Sequence, residues 1–296
     1  MRHYWWERLE TVSSEAKTVH DFMVEKNFLW KVVSLPCFTL IDGKYVKIDR
    51  HKVCARSDDM KPMYVVKKQY HLLNNEECFQ IMNEFKKKYE ESKFVSCGDI
   101  LNQKKSYLTM SLKHIEICGD DFSVYLTITN GFDGRNAVNC TLSLIRNKDH
   151  SVLQICDDEC KRIWTMGRVN SKFDVDHYFN EIEIYLKSLQ SSCNELNKVE
   201  ISLNDFIKPM FDLNWKKSKC VNLHVAEEKE YIREIYLKNN GKTLYDLYMA
   251  ISCYFCNHKM LRNGKLGDDL RFDSAMCSCF YELHDYEKYI IEHRPN

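Results

Sequence analysis

The residues best suited to carry chemistry are cysteines in the C-terminal part of the chain. Cys253 and Cys256 form a C-x-x-C pair, and Cys277 and Cys279 form a C-x-C pair further on. Structural zinc sites take four nitrogen or sulfur ligands, so these thiols can be read as one zinc site. Two alternatives stay open: cysteines at i and i+3 share one helix face and can pack in a core, or they can form a disulfide. We expect no cofactor, with zinc as the alternative.

A run of three lysines, Lys86, Lys87 and Lys88, is the second candidate, because such a run can bind a phosphate backbone. Glu90 and Glu91 follow almost directly and neutralise the run. The alternative is a solvated helix end, where lysines interact favourably with the helix dipole. The residues alone favour that structural interpretation.

A turn bracketed by glycines is the third candidate. Gly131 and Gly134 flank Asp133, and Arg135 follows at once. Loop residues held by a rigid sheet often carry function. Asp133, Arg135 and the lysine run are therefore the predicted partner-binding residues, although a plain hairpin explains the same turn.

The sequence carries no familiar catalytic or nucleotide-binding motif. It contains no G-x-x-x-x-G-K-[ST], G-x-G-x-x-G, H-E-x-x-H or G-x-S-x-G segment. Adjacent carboxylates such as Asp58 and Asp59 point to opposite faces of a strand, so they rarely converge on one metal ion. We expect a protein that is not an enzyme; a metalloenzyme built on the C-terminal cysteines is the alternative.

Composition places the chain among ordinary folded proteins. Of its 296 residues 44% are hydrophobic, and 4 prolines and 9 glycines argue against disorder. Lys+Arg and Asp+Glu number 43 each, and residues 1–150 carry 23 and 20 of them. This balance argues against a dedicated nucleic-acid-binding domain, which is usually basic. No apolar stretch reaches about 18 residues and no signal-peptide pattern is present, so we expect no membrane span and no secretion.

Hydrophobic periodicity places the elements that must hold these residues. Helices are predicted at about 15–30 and 76–91, with strands over most of the remaining sequence to about 156. Asp42-Gly43 is a hairpin signal, because both residues tolerate positive φ. From about 174 onward the pattern is mostly helical, with helices predicted at 174–194, 202–212, 224–238, 242–260 and 270–292.

Together these elements predict an α+β fold with a strand-rich N-terminal part, which holds two helices, and a helical C-terminal part. We predict an α+β domain built on an antiparallel sheet at 1–170. A mainly helical domain follows at 171–296.

The order of these features resembles the phage and plasmid family DUF932, a domain of unknown function. Val53-Cys54-Ala55-Arg56-Ser57-Asp58 is similar to the family's V-x-x-R-S-D strand, and Leu126–Arg135 is similar to its Asp-Gly turn. The set of similar segments in the same order carries the resemblance over most of the chain. The further segments are Phe28–Val32, Met63–Asn74 and Thr243–His258.

Two positions depart from the family pattern. The family's V-V-C-x-N-T-L strand keeps Cys156 but loses Asn-Thr-Leu, and Met249 stands where the family has asparagine. If those polar residues hold a ligand in relatives, the resemblance implies that this chain keeps the scaffold and has lost that activity.

The resemblance implies a counter-defence role, because the family lives on phages, plasmids and prophages, often beside anti-restriction genes. Chain size, the cysteine-rich C-terminal part and the departures are also similar to the phage anti-defence proteins that block the bacterial Gabija nuclease complex. We therefore expect a phage-encoded protein of the host cytoplasm that binds such a complex and prevents DNA binding or cleavage. The aromatic residues suit a protein interface, although most of them are core residues in any folded protein. A homo-oligomer is also expected.

The alternative function is a single-stranded nucleic-acid-binding accessory protein of phage recombination. In that case sheet aromatics would stack on bases and lysines would follow the backbone.

Overall fold

The computed structural model describes residues 14–100, 105–134, 138–154, 163–166, 174–201, 226–254 and 256–257. The helices in these ranges are α1 (Val19–Glu25), α2 (Asn75–Phe79), α3 (Ile81–Lys88), α4 (Val175–Lys198), α5 (Ala226–Lys238) and α6 (Leu244–Tyr254). The strands are β1 (Val32–Ile41), β2 (Lys44–Arg56), β3 (Pro62–Lys67), β4 (Lys93–Ile100), β5 (Lys105–Ile117), β6 (Asp120–Gly131), β7 (Val138–Arg146), β8 (Val152–Leu153) and β9 (Ile163–Met166).

These strands form two antiparallel sheets. β1, β2 and β3 make a three-stranded sheet, and β4 to β8 make a larger sheet in which β9 also pairs with β7. β1 and β2 form one long hairpin that turns at Asp42 and Gly43, with φ of 48° and 76°. Positive φ at both central residues is what a two-residue hairpin turn of type I′ requires. The turn predicted at this dipeptide is confirmed.

The larger sheet has one apolar face and one face rich in hydroxyl groups. Leu108 of β5 lies opposite Ile128 of β6, and both side chains are fully buried. The next pair, Thr109 and Thr127, lies on the other face, where the two hydroxyl oxygens are 2.9 Å apart. Side chains alternate along a strand, so this division follows from the alternating sequence.

Helices from both parts of the chain pack against this sheet. Phe22 of α1 stacks on Phe94 of β4 with ring centroids 5.4 Å apart. α4 is tied to β5 by an ion pair in which the Lys113 Nζ lies 2.7 Å from a carboxylate oxygen of Glu183. The sheet thus shares one hydrophobic core with helices that are distant in sequence.

Helix α6 is anchored to strand β8 and the residue after it by hydrogen bonds from its side chains. The Ser252 hydroxyl donates to the Val152 carbonyl at 2.6 Å, and the Tyr248 hydroxyl donates to the Gln154 carbonyl at 2.7 Å. Buried residues before and after the predicted boundary at 170/171 lie in the same hydrophobic cluster. The division into two domains stays a prediction.

The predicted α+β class is confirmed, but two predicted helices differ in extent. The helix predicted at 76–91 is two short helices that meet at Gln80, where the Asn83 amide bonds to the Gln80 carbonyl in an i→i+3 pattern. The first helix begins later than predicted because Thr18 caps it, and it ends at Glu25, two residues before Asn27, whose φ is 51°. The Thr18 hydroxyl accepts from the Asp21 amide at 3.1 Å, and the Asp21 carboxylate accepts from the Thr18 amide at 3.2 Å.

Two of the predicted elements, the helices at 202–212 and 270–292, lie outside the described residues. Across the ranges that the structure describes, no helix is both long enough and apolar enough to span a bilayer.

The end of α5 supplies a stability prediction, because Gly241 packs directly on the Tyr236 ring. A Cβ at this glycine would lie 2.5 Å from two ring carbons, and Tyr236 is only 2% exposed. Gly241→Ala is therefore expected to lower the free energy of unfolding by about 1–3 kcal/mol, since the buried ring must move. Urea denaturation followed by circular dichroism measures the change.

The matched control is the neighbouring residue. Asn240 has a left-handed φ of 53°, which asparagine and glycine both tolerate, so Asn240→Gly is expected to change stability by less than about 0.5 kcal/mol. Equal losses in the two variants would contradict the steric explanation.

Candidate functional site

The two most exposed large apolar residues of the described chain, and three further exposed ones, lie at the distal end of the β1–β2 hairpin, residues 38–47, which we call the hairpin arm. Tyr45 is 82% exposed and Leu40 is 61% exposed, while Phe38, Ile41 and Val46 are between 44% and 52% exposed. Single exposed apolar residues are normal, but a cluster of this kind on a folded protein marks an interaction site. The hairpin arm is therefore the candidate functional surface.

Strand register places these side chains on both faces of the arm. Leu40 lies opposite Tyr45, and Phe38 shares their face because side chains alternate. Ile41 and Val46 project from the opposite face. A partner that encloses the arm can therefore contact apolar side chains on either side.

The arm has no third strand within the described residues. β3 pairs with β2 only at residues 51–55, and the β1–β2 ladder is interrupted between Pro36 and Phe38. A two-stranded ribbon is marginally stable in water unless something packs on it. A bound partner would therefore stabilise the arm as well as cover it.

An ion-pair cluster attaches the base of the hairpin to the larger sheet. The Arg56 guanidinium lies 4.5 Å from the Trp30 ring centroid and donates at 2.9 Å to the Asp99 carboxylate of β4. It also donates to Asp58 at 2.6 and 2.9 Å. Burial raises the pKa of Asp99, although hydrogen bonds from Ser106 and Arg56 oppose that rise. The cluster joins the two sheets and so helps to set where the arm leaves the body.

Asp133, a predicted partner-binding residue, lies beside this junction. Phe132 next to it contacts the Trp30 ring edge-on, with centroids 5.5 Å apart. Burial lowers the pKa of Lys105, and the charge of Asp133 opposes that effect. The structure therefore places Asp133 near the base of the hairpin, whereas Arg135 lies outside the described residues.

The predicted lysine run lies at the end of α3, where each lysine makes a contact within the chain. The Lys86 Nζ donates to a backbone carbonyl at 2.7 Å, and burial lowers the pKa of this lysine. Lys87 pairs with Glu84 at 2.7 Å, and Lys88 pairs with Asp176 of α4 at 2.5 Å. These contacts give the run a structural role, and its part in partner binding stays a prediction.

Two of the four candidate zinc ligands lie in the described chain, at and just beyond the end of α6. Cys253 and Cys256 are free, buried thiols, and burial raises their pKa values to about 11 and about 12. Without a metal ion both thiols are therefore protonated at neutral pH, and a zinc ion would displace their protons on binding. Cys277 and Cys279 lie outside the described residues. Among the residues that are described, no three His, Cys, Asp or Glu side chains are grouped as a metal site.

A second ionic cluster, which no sequence motif indicated, joins the end of β7 to β6 and α6. Arg146 is 3% exposed and donates at 2.9 Å to both Asp149 and Asp120. Lys148 pairs with Asp120 at 2.6 Å, and the Tyr245 hydroxyl donates to the same carboxylate at 3.2 Å. Burial alone would raise the pKa values of both aspartates, but the neighbouring cations outweigh it and lower them. These charges satisfy one another, so the cluster stabilises the fold.

Sequence patterns located the hairpin turn but not the exposure of the arm. Strands with apolar residues normally bury one face, so the periodicity of these two strands does not indicate that the arm is exposed. One signal was available: Leu40-Ile41 and Tyr45-Val46 are adjacent apolar pairs on either side of a two-residue turn. Adjacent residues on a strand face opposite ways, so a single core cannot cover both members of a pair.

Comparison with known proteins places most of the chain in a family. No curated protein matches the chain. One family, described as Domain of unknown function (DUF932), matches residues 62–276. The matched range contains the similar segments Met63–Asn74, Leu126–Arg135 and Thr243–His258, whereas the hairpin arm and Arg56 precede it. The match covers well over half of the sequence, so the chain belongs to the DUF932 family.

Proposed function

We propose that this chain is a phage-encoded counter-defence protein that binds a bacterial anti-phage nuclease complex of the Gabija type and prevents it from binding or cutting DNA. It acts by protein–protein contact in the host cytoplasm and not by catalysis. The observation that supports the proposal is the exposed apolar surface of the hairpin arm.

The arm has the composition of an interface core. Aromatic residues are enriched in the buried centre of protein interfaces and often dominate the binding energy. Tyr45 and Phe38 share one face with Leu40, and all three are exposed. A cleft that closed over this face would remove three large apolar side chains from water.

The shape of the arm favours insertion. A two-stranded ribbon is thin, so it can enter a cleft that the rest of the protein is too large to enter. The body of the protein would then cover the surface around that cleft. Insertion beside the DNA-binding groove of a nuclease would block DNA sterically. A homo-oligomer would present several arms and bind more tightly through avidity.

Two double variants test the proposal, one for each face of the arm. Leu40→Ser/Tyr45→Ser removes one apolar pair, and Ile41→Ser/Val46→Ser removes the other. We expect at least one variant to bind a purified Gabija-type complex about 30-fold more weakly, since a hot spot contributes about 2 kcal/mol or more. Biolayer interferometry measures affinity, and cleavage of a DNA substrate measures inhibition.

The control is Ile184→Ser, which removes from α4 an apolar residue that is 53% exposed, close to the 52% of Ile41. It is expected to bind and inhibit like the wild type. Circular dichroism of each variant shows whether the fold is retained. Full binding by both arm variants, or no binding by the wild-type protein, would refute the proposal.

A further inference from the structure

We infer that the three-stranded sheet also binds single-stranded nucleic acid along a row of cations that make no ion pair with any described residue. This inference goes beyond the proposed function, because it concerns a different ligand and adds a row of cations to the aromatic residues of the arm. Its starting point is the distribution of charge. Residues 31–69 carry nine Lys and Arg but four Asp, a net charge of +5 in a chain whose total is zero. Each half of the sequence is nearly neutral, but the three-stranded sheet within the first half is basic.

The acidic residues of the segment pair with only one of its lysines, Lys47. Asp58 and Asp59 both lie within 4.0 Å of Arg56, which is itself held by Asp99. The remaining two aspartates are Asp42 in the turn and Asp49 on β2, which lies 3.5 Å from the Lys47 Nζ. The cations outside these contacts are Lys31, Lys44, Arg50, Lys52, Lys61, Lys67 and Lys68.

Most of these cations are exposed, and several lie side by side. Arg50, Lys67 and Lys68 are exposed, and none makes an ion pair with any described residue. The Lys68 amide donates to the Arg50 carbonyl at 2.9 Å, and Lys67 lies directly opposite His51 in the β2–β3 register. Like charges this close repel one another. A polyanion relieves that repulsion and gains entropy by releasing its counterions.

The row of cations extends toward exposed aromatic rings. Lys44 and Lys52 lie eight positions apart on β2, about 26 Å at roughly 3.3 Å per residue. Tyr45 and Phe38 lie at the same distal end as Lys44, 82% and 51% exposed, but on the opposite face of the arm. A strand that follows the cations reaches these rings around the edge of the thin two-stranded ribbon. Cations along a backbone path together with aromatic rings for stacking are the pattern of proteins that bind single strands. A duplex conceals its base faces, so the exposed rings favour a single strand.

The test is binding of the full-length protein to a fluorescein-labelled thymidine oligonucleotide of about 20 nucleotides, longer than a site of 4–16 nucleotides. Fluorescence anisotropy is measured over a range of salt concentrations. Arg50→Gln/Lys67→Gln/Lys68→Gln is expected to bind at least tenfold more weakly at low salt. The slope of log K against log salt is expected to fall by about 2, since each lost phosphate contact on a single strand contributes about 0.7.

The control removes the same charge from other elements. Lys187→Gln/Lys198→Gln/Lys238→Gln neutralises three exposed lysines of α4 and α5 and is expected to bind within about twofold of the wild type. Equal weakening in both triple variants would show a general charge effect and overturn the inference. So would the absence of wild-type binding at low salt, or tighter binding to a duplex of the same length.

The two proposals fail separately in these experiments. The triple glutamine variant at Arg50, Lys67 and Lys68 keeps every apolar residue of the arm, so it is expected to keep binding the nuclease complex. Loss of oligonucleotide binding with nuclease binding retained supports both proposals. Loss of both activities in this variant would show that the row of cations has no separate role and would overturn the inference.

Discussion

Replacing Arg146 with methionine is expected to lower the free energy of unfolding by about 3–5 kcal/mol. The guanidinium is almost fully buried and donates to two carboxylates, Asp120 and Asp149. Methionine has similar volume but no charge, so the substitution leaves two half-buried carboxylates without their shared cation. Removing one partner of a buried ion pair is costly for this reason. Urea denaturation at neutral pH, followed by circular dichroism, measures the loss.

The size of this loss is expected to depend on pH. In the wild type the pKa values of Asp120 and Asp149 are lowered, so their contribution to stability is present above the unfolded value of about 3.9 and is lost as pH falls through the folded values. Without Arg146, burial is expected to raise the folded pKa of Asp149. The variant then gains stability as pH falls from 7, because its folded state binds the extra proton. The difference in free energy of unfolding between the wild type and the variant is therefore expected to become smaller between pH 7 and about pH 4.

Arg233→Met is the matched control for this prediction. Arg233 lies on α5, is 42% exposed and pairs with Glu230 at 3.5 Å. Exposed pairs contribute little, so the control is expected to change stability by less than about 0.5 kcal/mol at any pH. A loss of under about 1 kcal/mol in the Arg146 variant would contradict the role assigned to the cluster, as would a difference from the wild type that stays constant with pH.

Trp30→Ala is expected to lower the free energy of unfolding by about 3–5 kcal/mol and to weaken partner binding through the arm. The indole is 6% exposed, and its ring centroid lies 5.8 Å from that of Phe28 and 5.5 Å from that of Phe132. The Arg56 Cζ lies 4.5 Å from the same centroid. Alanine would leave a cavity at the junction of the two sheets and remove the ring against which Arg56 is held. The arm would then leave the body in a less defined direction, and binding would lose part of its preorganisation.

Trp30→Phe separates packing from hydrogen bonding in this prediction. Within the described residues the indole Nε1 has no hydrogen-bond partner, so phenylalanine loses volume but no hydrogen bond. Its expected cost is below about 1.5 kcal/mol, with partner affinity retained. Equal losses of stability and affinity in the Trp30→Phe and Trp30→Ala variants would show that ring packing at the junction does not cause the effect.

The sequence alone determined the features that depend on neighbours along the chain. Asp42-Gly43 specified the hairpin turn, because both residues tolerate positive φ in a two-residue loop. Periodicity indicated the α+β class with strands first and helices later, since side chains repeat every two residues on strands and about every 3.6 on helices. The resemblance to DUF932 was also carried by local segments, and the family match confirms it.

Only the tertiary structure decided which charges and apolar residues are used within the fold. Arg56 meets Asp99, and Lys88 meets Asp176, across long separations in sequence. The lysine run that stood out as a binding motif is thereby engaged in contacts within the chain. The unmarked cations of β2 and β3 include several without an ion pair among the described residues. Residues 38–47 read as ordinary strands, yet no described element packs on them to form a core. Burial and pairing depend on which distant elements pack together, and local patterns do not encode that arrangement.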